Sequence, residues 1–149
     1  MTTPTPVESN IELVRTALDS INRGDMAGLA ATVTADFQRH DLARAFVFDN
    51  SGADPLTSFI TMVRAAMPDF YMDIVDIFAT EDRAAARIRL TGTHLGDFMG
   101  TAPSGRRIEI SGVSLYSFRD GRICENNQLL DMAGLLRELT GSGSAVAVG

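Results

Sequence analysis

The hydrophobic period of this chain changes once, near Phe70, and that change limits what it can fold into. Upstream, apolar residues recur every three or four positions. Ile11, Val14, Leu18 and Ile21 form one stripe, and Leu56, Phe59, Ile60, Val63 and Met67 form another. Downstream, FYMDIVDIFATED, RAAARIRLTGTHL, RRIEISGVSLYSF and RICENNQLL read as four long strands. Helices early and strands late predict an α+β chain, not alternating βαβ units.

Local signals set the boundaries. Ser9 is placed to cap a helix running to about Asn22, which Arg23-Gly24-Asp25 stops. Asp25 caps a short second helix carrying Leu29 and Val33, and DFQRHD (36–41) reads as a short strand. LARAFVFDNSGAD is loop-like apart from its FVF. Asp54-Pro55 starts the third helix, a capping acid before a first-turn proline, and Pro68 ends it. Asp131 caps a closing helix, DMAGLLREL. With 149 residues, 45% of them hydrophobic, the expectation is one domain over 1–149, its ends (1–8 and 141–149) flexible.

Composition excludes several classes. A net charge of -6 argues against nucleic acid and anionic membranes as main partners, since both select basic patches. The single cysteine, Cys124, forbids an intrachain disulfide and fits a reducing, cytoplasmic setting. MTTPTPVESN has neither the basic start nor the apolar core of a secretory signal. No apolar run approaches the roughly 20 residues of a membrane helix. His40 and His94 are the only histidines, without metal-ligand spacing, so no metal site is expected.

The stretch CENNQLLD (124–131) is the odd one. Asn is a poor strand former, and a buried amide needs partners. The preceding Arg119-Asp120-Gly121 reads as a three-residue turn with a bulge, Gly121 supplying the left-handed conformation. That register pairs Phe118 with Arg122, Tyr116 with Cys124, Ser114 with Asn126 and Gly112 with Gln128. A two-residue turn at Asp120-Gly121 instead puts Val113 opposite Gln128. On the bulged reading Ile108, Ile110, Gly112, Ser114 and Tyr116 share a face with Cys124, Asn126, Gln128 and Leu130. Mostly apolar walls with a few placed polar groups describe a lined pocket; a partly solvated sheet whose amides bond each other or water is the competing reading. The opposite face, with Val113, Leu115, Glu125, Asn127 and Leu129, suits a subunit interface.

Four motifs stand in order along the second half of the chain: Gly92-Thr93-His94-Leu95-Gly96, Gly100 to Arg106, Asp120 to Ile123, and Asp131 to Leu136. By these, and by RGDMAGLAATVTADF and RAAMPDFYMDIVDI earlier on, the chain resembles the SnoaL-like polyketide cyclases over residues 10–140. The likeness implies a cystatin-like α+β cone: a curved mixed sheet wrapped around helices, enclosing a hydrophobic cavity, in a homodimer. In the family's aldol cyclases an acid acts as general base three residues before the capping Asp. That position is Gln128 here, and an amide cannot accept a proton near neutral pH.

The departure favours another branch of the family, which hydroxylates anthracycline-type polyketides without bound metal or flavin. There a substrate reduced by a separate reductase passes an electron to dioxygen itself. On that reading Gln128, Asn126 and His94 are the catalytic candidates. Ser114, Tyr116, Gly112, His40, Phe59, Val63, Phe98 and Met99 are the substrate-binding candidates. Two alternatives stay open: a cyclase with its base moved to His94, His40 or Asp41, and a non-catalytic small-molecule-binding module. Arg87 and Arg89 share a strand face without an acid between them, which speaks against the epoxide hydrolases of this fold. Cys124 reads as a structural thiol. LGDFMGTAPSG (95–105), rich in glycine, is a candidate lid.

Overall fold

The computed structural model describes residues 2–42 and 52–141. In chain order these form α1 (Pro6–Arg23), α2 (Met26–Ala31), β1 (Val33–Asp41), α3 (Ala53–Ala66), β2 (Tyr71–Ala79), β3 (Arg83–Thr93), β4 (Arg107–Arg119), β5 (Arg122–Leu130) and α4 (Met132–Thr140). One curved five-stranded sheet has the order β1-β5-β4-β3-β2, with β1 parallel to β5 and every other pair antiparallel. This is the α+β arrangement expected from the change of period. The four strands after Phe70 fall where alternation put them.

Some boundaries differ from expectation. Helix α1 starts earlier, because Thr5 and Glu8 form a reciprocal capping box, so residues 6–8 are helical rather than loose. Val33 belongs to β1, not to α2, which ends at Ala31 as Thr32 bonds back to Leu29. Helix α3 is entered at Gly52 with no side-chain cap, and Asp54 lies inside its first turn. Asp25 and Asp131 cap α2 and α4 through the backbone N–H groups of Gly28 and Gly134. The FVF expected to break the loop, and residues 142–149, lie outside the described residues.

Polar side chains fasten the helices to the concave face. Asn22 donates to the carbonyl of Met72 and accepts from its N–H, acting as a one-residue strand partner at the β2 edge. Asn10 donates to the carbonyls of Thr80 and Glu81 in the β2–β3 turn. Arg64 of α3 donates to the carbonyls of Ile21, Asn22 and Phe70, gathering three chain ends. The core between helices and sheet includes Val14, Leu18, Leu29, Ile60, Val63, Ile88 and Ile108, all nearly inaccessible.

The β4–β5 hairpin corrects the expected register. Arg119 pairs with Arg122, and Asp120 and Gly121 both have positive φ (53° and 73°), so the turn has two residues. A bulge follows at Cys124, since Phe118 pairs with Ile123 but Ser117 with Glu125. Turn and bulge together place Ser114 opposite Gln128, Tyr116 opposite Asn126 and Gly112 opposite Leu130. The shift from expectation is two residues, so the facing of Asn126, Gln128 and Leu130 is preserved. Only Cys124 changes place: it sits half-buried in the bulge, and Ile123 turns inward instead.

Candidate functional site

The concave face and the helices enclose an interior space of about 100 Å³. Its wall is mostly aliphatic and aromatic, and includes Phe37, Phe59, Val63, Met67, Phe98 and Ile110. Polar groups collect at the β1–β5–β4 end, and strand pairing explains why. The parallel register sets Arg39 beside Asn126, and the antiparallel register sets Asn126 beside Tyr116 and Gln128 beside Ser114. Alternation turns all five toward the helices.

Arg39 is the centre of this cluster, and is only 9% exposed. Its Nη2 donates to Gln128 Oε1 at 2.5 Å, and its guanidinium lies over the Phe59 ring, 5.0 Å from the centroid. Burial pushes the guanidinium's pKa down, and Asp41 and Tyr116 oppose that; arginine stays a cation at any working pH. Its Nη1 is buried with no hydrogen-bond partner among the described residues.

The other polar groups are oriented in turn. Arginine only donates, so Gln128 must present its carbonyl to Arg39 and its Nε2 to Ser114 Oγ, 3.1 Å away. Ser114 is 0% exposed and shares the inward face of β4 with Tyr116, two residues along. Burial raises the Tyr116 pKa, against the pull of Ser114 and Arg39, so the phenol is neutral at physiological pH. Asn126 Oδ1 is buried with no partner among the described residues. The site therefore offers two unspent groups, an N–H of a cation and an amide oxygen.

The sequence candidates divide around this geometry. Gln128, Asn126, Tyr116, Phe59, Val63 and Phe98 line the cavity, and Ser114 stands directly behind Gln128. Gly112 does not line it; its α-carbon lies against Leu130, where a Cβ would approach the Leu130 side chain to 2.5 Å. Met99 is 45% exposed, with positive φ, and points away from the wall that Phe98 joins. His40 is exposed on the convex face opposite Asn127, because the inward facing of Phe37 and Arg39 sends residue 40 outward. His94 is 0% exposed but does not line the cavity. Its Nδ1 accepts from the Ser104 N–H at 3.2 Å and its carbonyl accepts from Gly105, so it braces the 95–105 loop.

Arg39 was missed by the sequence reading, though a signal existed. In VTADFQRHD, any strand that turns Phe37 inward must turn Arg39 inward as well. Arg87 and Arg89 lie on the convex face, paired with Asp76 and with Asp73 and Glu109. Among the described residues of the cavity wall there is no Asp, Glu, His or Cys.

The family model for SnoaL-like polyketide cyclases matches residues 11–139. The chain belongs to this family. Among its relatives, the aklanonic acid methyl ester cyclase AcmA of Streptomyces galilaeus is 34% identical over 68 residues, 46% of this chain and 47% of that protein. The matched part is thus less than half of the relative's length. The structure of AclR, a hydroxylase candidate from Streptomyces galilaeus, superposes with a TM-score of 0.75 at 29% identity, covering 87% of this chain and 83% of that one. A candidate SnoaL-like polyketide cyclase from Jannaschia sp. CCS1 shares the fold, with a TM-score of 0.81 at 20% identity over 94% of this chain and 97% of that one. The family and these relatives are of the cyclase or hydroxylase kind.

Proposed function

We propose that this chain is a tailoring enzyme of aromatic polyketide biosynthesis that hydroxylates a reduced polycyclic substrate with dioxygen. The observation that supports this reading is that, among the described residues, the cavity wall carries no carboxylate, imidazole or thiol. Intramolecular aldol closure needs a base to take a carbon-bound proton, and the position that carries it in cyclases is an amide clamped between Arg39 and Ser114. Hydroxylation of an electron-rich hydroquinone makes no such demand. The hydroquinone loses two electrons and two protons in becoming a quinone, and one ring C–H becomes C–OH. One oxygen atom enters the ring and the other leaves as water.

The chain's own residues then hold and polarise the ring. Arg39 Nη1 and the Tyr116 phenol stand ready for substrate oxygens, and Asn126 Oδ1 for a substrate hydroxyl. A dry wall strengthens each of these contacts. No resident metal or flavin is required, and a separate reductase returns the substrate to its reduced state in the cytoplasm. The interior space is smaller than the roughly 300–1,000 Å³ of typical ligand pockets, so the wall must open to admit several rings. Homodimerisation would cover the convex face, where Val113, Leu115, Leu129 and Phe78 stand exposed. Leu115→Glu should then yield a monomer by light scattering.

The test is incubation with a chemically reduced anthraquinone-type polyketide under heavy dioxygen, read by product mass. Protein-dependent heavy oxygen in the product supports hydroxylation. Unchanged mass with a new retention time refutes it in favour of ring closure. In that case Gln128→Asp, which restores the base, should accelerate closure.

A further inference from the structure

We infer that the cavity takes its ligand as an oxyanion, selecting an ionised phenol or enol and lowering that group's pKa through Arg39. The inference rests on reading this cavity as the substrate site, and concerns the charge state of what binds there rather than the reaction that follows.

A buried guanidinium needs its charge balanced. Within this wall it is not. Gln128 offers Arg39 a carbonyl, which satisfies one N–H but carries no charge. Phe59 offers a ring face. Asn126 and Ser114, on the neighbouring strands, are neutral. Two titratable groups act on the guanidinium: Asp41, two residues along β1 and partly exposed, and Tyr116 from β4, kept neutral by burial. Nη1, with no hydrogen-bond partner among the described residues, is where a ligand oxygen completes the set.

An acceptor that arrives with a negative charge gains most here. It meets a cation in a low-dielectric wall, and it supplies the charge that the amide at 128 withholds. A phenol or enol entering in neutral form is driven toward ionisation, its O–H bond breaking heterolytically and its proton passing to water. An opposite charge within hydrogen-bond distance lowers an acid's pKa by about one to three pH units. For a hydroquinone the anion is also the better electron donor, which ties the cation to the dioxygen chemistry proposed above.

The experiment reads ionisation without turnover. Under argon, 4-nitrophenol and 2-hydroxyanthraquinone are titrated by absorbance with the protein, their phenolates being coloured. The bound midpoint should lie about one to three pH units below the free one. It should return to the free value in Arg39→Met and in Gln128→Glu, which neutralises the cation from within. Arg39→Lys, which keeps the charge, should retain a lowered midpoint, and 4-nitrotoluene binding to each variant checks that the cavity is intact. An unmoved midpoint, a midpoint indifferent to Arg39→Met, or failure of both phenols to bind would overturn the inference. Failure of the heavy-oxygen experiment with a lowered midpoint would sink hydroxylation and leave oxyanion capture standing.

Discussion

Ser114→Ala removes one oxygen atom and should be among the most damaging single changes in the sheet. Ser114 is fully buried, and its hydroxyl accepts from Gln128 Nε2 at 3.1 Å. Gln128 cannot turn to water, being buried and fixed by Arg39 on its carbonyl side. An orphaned buried donor costs about 1–3 kcal/mol. For a chain of this size about 3 °C of Tm accompanies each kcal/mol, giving a fall of about 3–9 °C. Urea unfolding should show a lower midpoint at unchanged slope, since the surface exposed on unfolding stays the same. Ser111→Ala, on the exposed face of the same strand, should stay within about 0.5 kcal/mol of the parent. A Ser114→Ala midpoint as close to the parent as that control would refute the reasoning. Gln128 would then not depend on this hydroxyl, and the fixed orientation of the amide would fall with it.

Three further outcomes can be checked the same way. Burial raises Tyr116 above its ordinary 10.0, so the unfolded chain ionises first: its contribution is complete below pH 10.0 and declines as pH rises beyond it. Tyr116→Phe should therefore flatten the alkaline loss of stability in urea titrations above that pH. Asp69 accepts from both the N–H and the hydroxyl of Thr93 at 2.7 Å, and these bonds hold its pKa below 3.8. Its contribution is present above pH 3.8 and lost as pH falls through the depressed value, so the parent's advantage over Asp69→Asn should shrink in acid unfolding curves. Gly112→Ala would bring a Cβ to 2.7 Å from the Leu129 carbonyl oxygen, a backbone atom that cannot swing aside, and should cost about 1–3 kcal/mol by urea unfolding.

What the sequence made legible follows from which forces are local. Helix stripes, strand alternation and the caps at Asp25 and Asp131 depend on residues a few positions apart, and they appear where they were read. The inward set Tyr116, Ser114, Asn126 and Gln128 was also legible, because alternation depends on parity and a register error of two keeps parity. The register itself was not. It depends on a two-residue turn followed by a bulge at Cys124, and each alone would have turned Gln128 the other way. His94 carries a family motif, yet its role in bracing Ser104 and Gly105 is a tertiary contact that no spacing announces.

Arg39 shows how a site can be misread one residue at a time. His40 and Asp41 stand out in the sequence as acid–base side chains, and arginine beside them reads as a surface charge. Strand parity says otherwise: residues 37 and 39 share a face, and Phe37 is buried. Once Arg39 is inside, the amide at 128 takes on a second meaning. A carboxylate there would be both a base and the partner of a buried cation, leaving a neutral cavity. The amide removes the base and exposes the cation in the same substitution. A change at position 128 therefore alters the charge of the cavity along with its proton chemistry, and any variant there must be read on both counts.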